Sequence, residues 1–263
     1  MAQGHARRRI GAGFAALLIA AGLFAARPQA AQAHVNLAAV PISRMSLPWW
    51  RHRFEMTLRE AKDHPDARLI WLGDSITEYW QRTGPEPFED IEPVWDEYYA
   101  PYGALDFGFI GDTTASVIWR LDHGQLDHLH PRLVIILIGA NNLGRPHWDW
   151  QKTVPGIEAV VANVHRRAPK ANILLLGVLP SIRSAWISAQ TRIINAKLAS
   201  IYAHDANVTF RNVGHVLEKD GRPDKALYMD PHFAHPEPAL HPDRAGMRRI
   251  AKTLAPTVAR LMK

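Results

Sequence analysis

Cysteine is absent from all 263 residues. That removes disulfides, a thiolate nucleophile, cysteine-based metal sites and lipidation on cysteine together. The chain also lacks internal repeats, low-complexity tracts, a linker that would divide it, and any second apolar stretch as long as the one near its start. No basic stripe crosses it. Arg166-Arg167 and Arg248-Arg249 are ordinary helix-surface pairs, so no nucleic-acid footprint is expected. A protein without crosslinks rests on packing, and with 47 % hydrophobic residues this chain has the means to build one sizeable core.

The net charge of +6 is concentrated near the start. Arg7, Arg8 and Arg9 precede an apolar run over 10–26, and Ala31-Gln32-Ala33 supplies small residues for a cleavage before His34. Residues 1–33 are therefore expected to be a secretory signal peptide. Gly- and Ala-rich, the run falls short of the ~20 residues needed to span a bilayer, so no stable membrane insertion is expected after cleavage. That segment holds four arginines and no acid, which leaves 27 Lys plus Arg against 25 Asp plus Glu, a net +2. The mature chain, 34–263, is expected to be one domain, exported to the periplasm or secreted.

Short runs rich in Ile, Leu, Val or Phe predict strands over 68–72, 104–109, 133–138, 172–178 and 208–213. Between them, apolar residues at helical spacing predict helices over 114–121, 154–167, 187–204 and 245–262. Strands alternating with helices, without hairpin turns, imply a parallel sheet of about five strands covered on both faces, a three-layer α/β/α sandwich. Ligands of such sheets bind at the C-terminal strand ends.

Chemistry-bearing residues collect at those ends. Trp71-Leu72-Gly73-Asp74-Ser75-Ile76-Thr77 breaks from an apolar run into a helical pattern, which puts Ser75 at a strand-to-helix turn, its hydroxyl facing solvent as a candidate nucleophile. The plainer reading makes it a helix cap. Gly111 follows the second strand and could leave its N–H free, with Asp112 or Thr113 capping the next helix. Gly139-Ala140-Asn141-Asn142 follows the third strand, and Leu240-His241-Pro242 precedes the last helix.

In this order, these four segments resemble the SGNH, or GDSL, family of hydrolases. Residues 107–142, with Gly111-Asp112-Thr113-Thr114, Trp119-Arg120-Leu121 and Gly139-Ala140-Asn141-Asn142, resemble most closely the catalytic subunits of intracellular platelet-activating-factor acetylhydrolase. The resemblance implies a flavodoxin-like sheet and a serine esterase in which Ser75 attacks an ester carbonyl and His241 acts as base. It implies an oxyanion hole of the Ser75 N–H, the Gly111 N–H and the Asn141 amide. The position three residues before the histidine, where the family carries Asp, holds Pro238 here. Glu237 is the expected replacement, with Asp230 as the alternative and a backbone carbonyl as a third. Asp74 and Trp148 are candidates to line the substrate.

His232, His235 and His241 beside Asp230 have the residue types for a metal site, but Pro231, Pro236 and Pro238 break the segment and no His-Glu-x-x-His helix occurs. No metal or cofactor is expected. The expected substrate is a short-chain, foremost acetyl, ester on an exported or envelope carbohydrate, with lysophospholipid or thioester hydrolysis as neighbouring chemistry. Loss of the family acid also leaves open a glycan-binding or scaffold protein of the cell envelope.

Overall fold

Two segments, Leu69–Gly73 (β1) and Leu133–Leu137 (β3), are buried at every position. A strand can be apolar throughout only where helices cover both of its faces, and that is where these two lie. The computed structural model describes residues 1–2, 35–84 and 90–263, and residues 36–263 form one compact unit. The expected signal peptide and its cleavage point lie outside the described residues.

The other strands are Ala104–Gly108 (β2), Asn172–Leu176 (β4) and Val208–Arg211 (β5), all parallel, in the order β2-β1-β3-β4-β5. β1 lies between β2 and β3, with Gly73 in register with Gly108 on one side and with Leu137 on the other. The direction of winding reverses at β1, so the crevice beyond the C-terminal ends of β1 and β3 is where this topology places a ligand.

Eight helices surround the sheet among the described residues: Pro48–Asp63 (α1), Ser75–Glu78 (α2), Glu92–Tyr98 (α3), Thr114–Asp122 (α4), Ala140–Gly144 (α5), Trp150–Arg167 (α6), Ala185–Ile201 (α7) and Arg244–Leu261 (α8). Three helices begin earlier than apolar spacing predicts, because a side-chain cap sets the start. Asp149, Ser184 and Asp243 accept from the backbone N–H of Lys152, Ile187 and Gly246. The predicted cap at the start of α4 is corrected. Thr113 occupies the position without a side-chain bond, and Asp112 spends its carboxylate elsewhere.

α1 is not among the helices expected from the sequence. Pro48 starts it, and it buries Trp50, Phe54, Thr57 and Ala61. Trp50 and Phe54 pack with Phe109 and Trp119 at ring separations of 5.3–5.7 Å, a cluster apart from the main core. From α1, Arg53 donates to the carbonyls of Asp106 and Gly108 on the edge strand β2. Edge groups that could template another strand are thereby occupied.

Candidate active site

β1 ends at Gly73, where an added Cβ would stand 2.3 Å from the Leu137 carbonyl and the Thr77 hydroxyl. Only glycine lets the chain turn this tightly against β3. Asp74 caps α2 by accepting from the Ile76 N–H at 3.0 Å, so Ser75 is the first helical residue rather than the cap. The residue as a whole is buried, 4 % exposed. Ser75 Oγ lies 2.9 Å from His241 Nε2, and the Tyr79 ring, one helical turn on, lies 4.9 Å from the imidazole.

The partner of His241 is Asp230, not the expected Glu237. Asp230 Oδ1 is 2.5 Å from His241 Nδ1, while Oδ2 accepts from the backbone N–H groups of Leu240 and His241 at 2.8 and 2.7 Å. The two residues are eleven apart along the chain but opposite in space. Tyr228 bridges antiparallel to Pro242, Met229 donates to the His241 carbonyl, and Asp243 donates to the Leu227 carbonyl. The intervening residues form a closed loop whose neck carries the acid on one side and the histidine on the other. Glu237 sits out on that loop, exposed, and gives Asp230 only its backbone N–H, at 3.0 Å to the carbonyl. Burial pushes the Asp230 carboxyl up, but the bond to His241, the imidazole's charge and the two backbone donors together hold it below the usual carboxylate value. A carboxylate so held keeps Nδ1 protonated and leaves Nε2 free to accept from Ser75.

Gly111, in the loop after β2, has φ +75°, a conformation that side chains disfavour. Neither the Ser75 nor the Gly111 backbone N–H donates to another described residue. Asn141, at the start of α5, anchors its amide nitrogen to the Asp112 carbonyl at 3.1 Å and retains a second N–H. Asn142 locks the same loop to α4, accepting from the Thr114 N–H at 3.0 Å and donating to the Thr114 hydroxyl at 2.8 Å.

Beneath these loops runs a buried ionic network that the sequence analysis does not predict. Arg120 and Asp112 are both fully buried and pair at 2.9 Å. The other oxygen of Asp112 accepts from Arg44 at 2.8 Å and from the Trp50 indole at 2.7 Å. Arg120 also donates to the Gly73 carbonyl at 3.1 Å and to Gln125, which in turn holds Thr57 at 3.0 Å. One guanidinium thus ties the residue before the Asp74-Ser75 turn to the residue after Gly111. Buried charge is costly unless fully paired, and here each polar atom of the pair finds a partner that fixes a site loop.

Residues 71–249 match the model of the GDSL-like Lipase/Acylhydrolase family. The chain belongs to that family. It is 33 % identical over 154 residues to human platelet-activating factor acetylhydrolase IB subunit alpha2, covering 57 % of this chain and 61 % of that one. To the bovine alpha1 subunit it is 33 % identical over 129 residues. The chain spans about half the length of the latter, 49 % of each sequence. A GDSL-like lipase from Bacteroides thetaiotaomicron superposes with a TM-score of 0.60 at 16 % identity, covering 79 % of this chain and 98 % of that one. A carbohydrate acetylesterase from Sinorhizobium meliloti gives 0.53 at 18 % identity, covering 74 % and 99 %.

In this GDSL-family chain the remaining candidates fall outside the cluster of bonded groups. Asp74 is buried under the turn, its Oδ2 has no hydrogen-bond partner, and burial raises its carboxyl to about 6. Trp148 is half-buried and donates its backbone N–H to the Asn142 carbonyl at 2.9 Å, while Trp150 packs against the core with Lys197 over its ring. His232 and His235 are exposed on the closed loop, and no described group of three His, Asp or Glu has a metal-holding arrangement. Among the described residues no helix is long and apolar enough to cross a membrane.

Proposed function

We propose that this chain is an exported serine esterase that removes short acyl groups, acetyl foremost, from carbohydrate of the cell envelope or its surroundings. The observation that carries the reading is the continuous contact from Ser75 Oγ through His241 to Asp230, with Ser75 just past the C-terminal end of β1. In the first half-reaction Ser75 Oγ attacks the ester carbonyl and its proton passes to His241 Nε2, with Asp230 stabilising the imidazolium. The carbonyl oxygen gains its negative charge facing the N–H groups of Ser75, Gly111 and Asn141. The tetrahedral adduct then breaks its C–O bond to the alcohol, which leaves with the proton from His241. Water, deprotonated by the same imidazole, attacks the acyl-serine, and the carboxylic acid departs as Ser75 regains its proton.

The acetyl preference draws on the names of the relatives, an acetylhydrolase and a carbohydrate acetylesterase, and the location on the Arg-led apolar segment at the start of the chain. A series of p-nitrophenyl esters from acetyl to octanoyl, with wild type and Ser75→Ala, tests it. Turnover abolished by Ser75→Ala and falling steeply with acyl length is expected. A preference for octanoyl would move the substrate to lysophospholipid-like esters. Equal, negligible rates for wild type and variant would turn the reading toward a glycan-binding protein.

A further inference from the structure

Most arginines near the site are occupied by protein carboxylates or carbonyls: Arg44 and Arg120 by Asp112, and Arg53 by the edge of β2. Two are not. Arg183, in the loop between β4 and α7, makes a single bond, from Nε to the Ser181 hydroxyl at 3.2 Å, and forms no ion pair among the described residues. Its Nη1 presses on Gly144, where an added Cβ would stand 2.1 Å away. The preceding residue, Ile182, donates to the Ala239 carbonyl at 3.0 Å. Arg183 therefore lies where the loop carrying Asn141 meets the loop carrying His241. It is half-buried, and its charge is felt at both Asp74 and Asp230.

Arg145, just past α5, is exposed and bonds only through Nε, to Asn141 Oδ1 at 3.4 Å. Its Nη2 would stand 2.9 Å from a Cβ on Gly111. Two guanidinium forks thus flank the segment that holds Asn141, and among the described residues neither fork's terminal nitrogens have a hydrogen-bond partner. Unpaired arginine forks match carboxylate and phosphate, which they grip with two parallel bonds. The surroundings continue in kind. Through Ser181 and Ile182 the Arg183 loop also lines a cavity of about 800 Å³, whose wall carries Arg192, Arg222 and Lys225 against one acid, Glu218.

We infer that the ester's alcohol portion is anionic, carrying a carboxylate or phosphate that Arg183 and Arg145 hold while Ser75 attacks the acyl group. This inference rests on the esterase reading above. A short acyl group has no place for a charge, so the anion belongs to the alcohol side, which makes the substrate an acidic rather than a neutral carbohydrate. The two arginines are specificity-determining residues. They leave the reacting bond to Ser75 and His241.

The test compares 4-acetoxybenzoate and 4-acetoxyphenyl phosphate with the neutral 4-acetoxybenzamide, scoring the ratio of kcat/KM for charged over neutral ester. Differences in leaving-group reactivity cancel, because only the change in ratio between wild type and variant is scored. Arg183→Gln and Arg145→Gln each lower the ratio by about tenfold or more, the value of a lost charged hydrogen bond, and Arg183→Lys retains part of it. The carboxylate and phosphate arms show which anion is preferred. A ratio unchanged in both glutamine variants, including a uniform loss on all three esters, overturns the inference, since the arginines would then serve the oxyanion or the loops alone. Titrating the Ser75→Ala protein with the same esters, with and without Arg183→Gln, asks the question without turnover, and equal dissociation constants there also overturn it. Absence of Ser75-dependent turnover in wild type counts against the esterase reading, whereas failure of the ratio in an active enzyme counts against the inference alone.

Discussion

Asp230 and Asp106 are both 1 % exposed, and their surroundings drive them in opposite directions. Asp230 has both oxygens answered: an imidazole on one and two backbone N–H groups on the other. Its carboxyl is held below the usual value. Asp106, on the edge strand, accepts from the Gly108 N–H at 2.7 Å and has Arg53 at 3.7 Å, but its Oδ2 is buried without a hydrogen bond. Burial prevails over Arg53 and the backbone bond, and raises its carboxyl to about 7. Burial alone therefore does not set the charge of a carboxylate; the number of donors aimed at it does. The acid in contact with the histidine is the one with its donors arranged in advance.

That contrast can be broken at either end. Asp230→Asn removes the charge opposite the imidazole and allows the wrong tautomer, so kcat on p-nitrophenyl acetate should fall by about 10⁴ while the fold, followed by circular dichroism, is retained. Asn141→Ala removes one donor from the oxyanion side and should lower kcat by about 10²–10³ with little change in thermal midpoint. Asp106→Asn acts on stability. Between pH about 4 and about 7 the folded protein keeps a proton on Asp106 that the unfolded chain has released, so stability falls as pH rises through that window and the cost is complete above it. The variant should gain up to about 4 kcal/mol at pH 8 and almost nothing at pH 4, as measured by urea unfolding at the two pH values. A gain at both would mean that packing, not ionisation, is being relieved. The smallest effect is expected from Glu237→Gln, whose exposed side chain lies away from His241, and a kcat within about twofold of wild type would set it apart from Asp230.

The sheet was legible because its strands are short, largely apolar and separated by helical patterns, and β1 and β3 announce their two-sided burial in Leu69-Ile70-Trp71-Leu72 and Leu133-Val134-Ile135-Ile136-Leu137. Ser75, Gly111, Asn141 and His241 were legible only together, because the four segments that carry them occur in the order of the family they resemble; singly, each reads as a cap, a turn or a loop residue. Asp230 ranked second because sequence distance favoured Glu237. The pairing of 227–230 with 240–243 is a tertiary event, and proline spacing carries no trace of it. α1 did carry a helical signal, since its buried residues Trp50, Phe54, Thr57 and Ala61 recur three to four apart. Arg120 did leave a signal: a lone guanidinium within Val117-Ile118-Trp119-Arg120-Leu121, where an apolar helix buries a charge only for a fixed partner.

The family-model match begins at residue 71, yet Asp112 takes two of its donors from Arg44 and Trp50, upstream of that point. A shortened version beginning with β1 would retain Ser75, Gly111, Asn141 and His241 while exposing the underside of the Gly111 turn. Such a fragment should express as a folded sheet with a slack catalytic rim, recognisable by homology and poor at its task. The smallest working unit of this protein is thus larger than the span of its family match, because the segment upstream of β1 acts as a brace for the turn that carries Gly111.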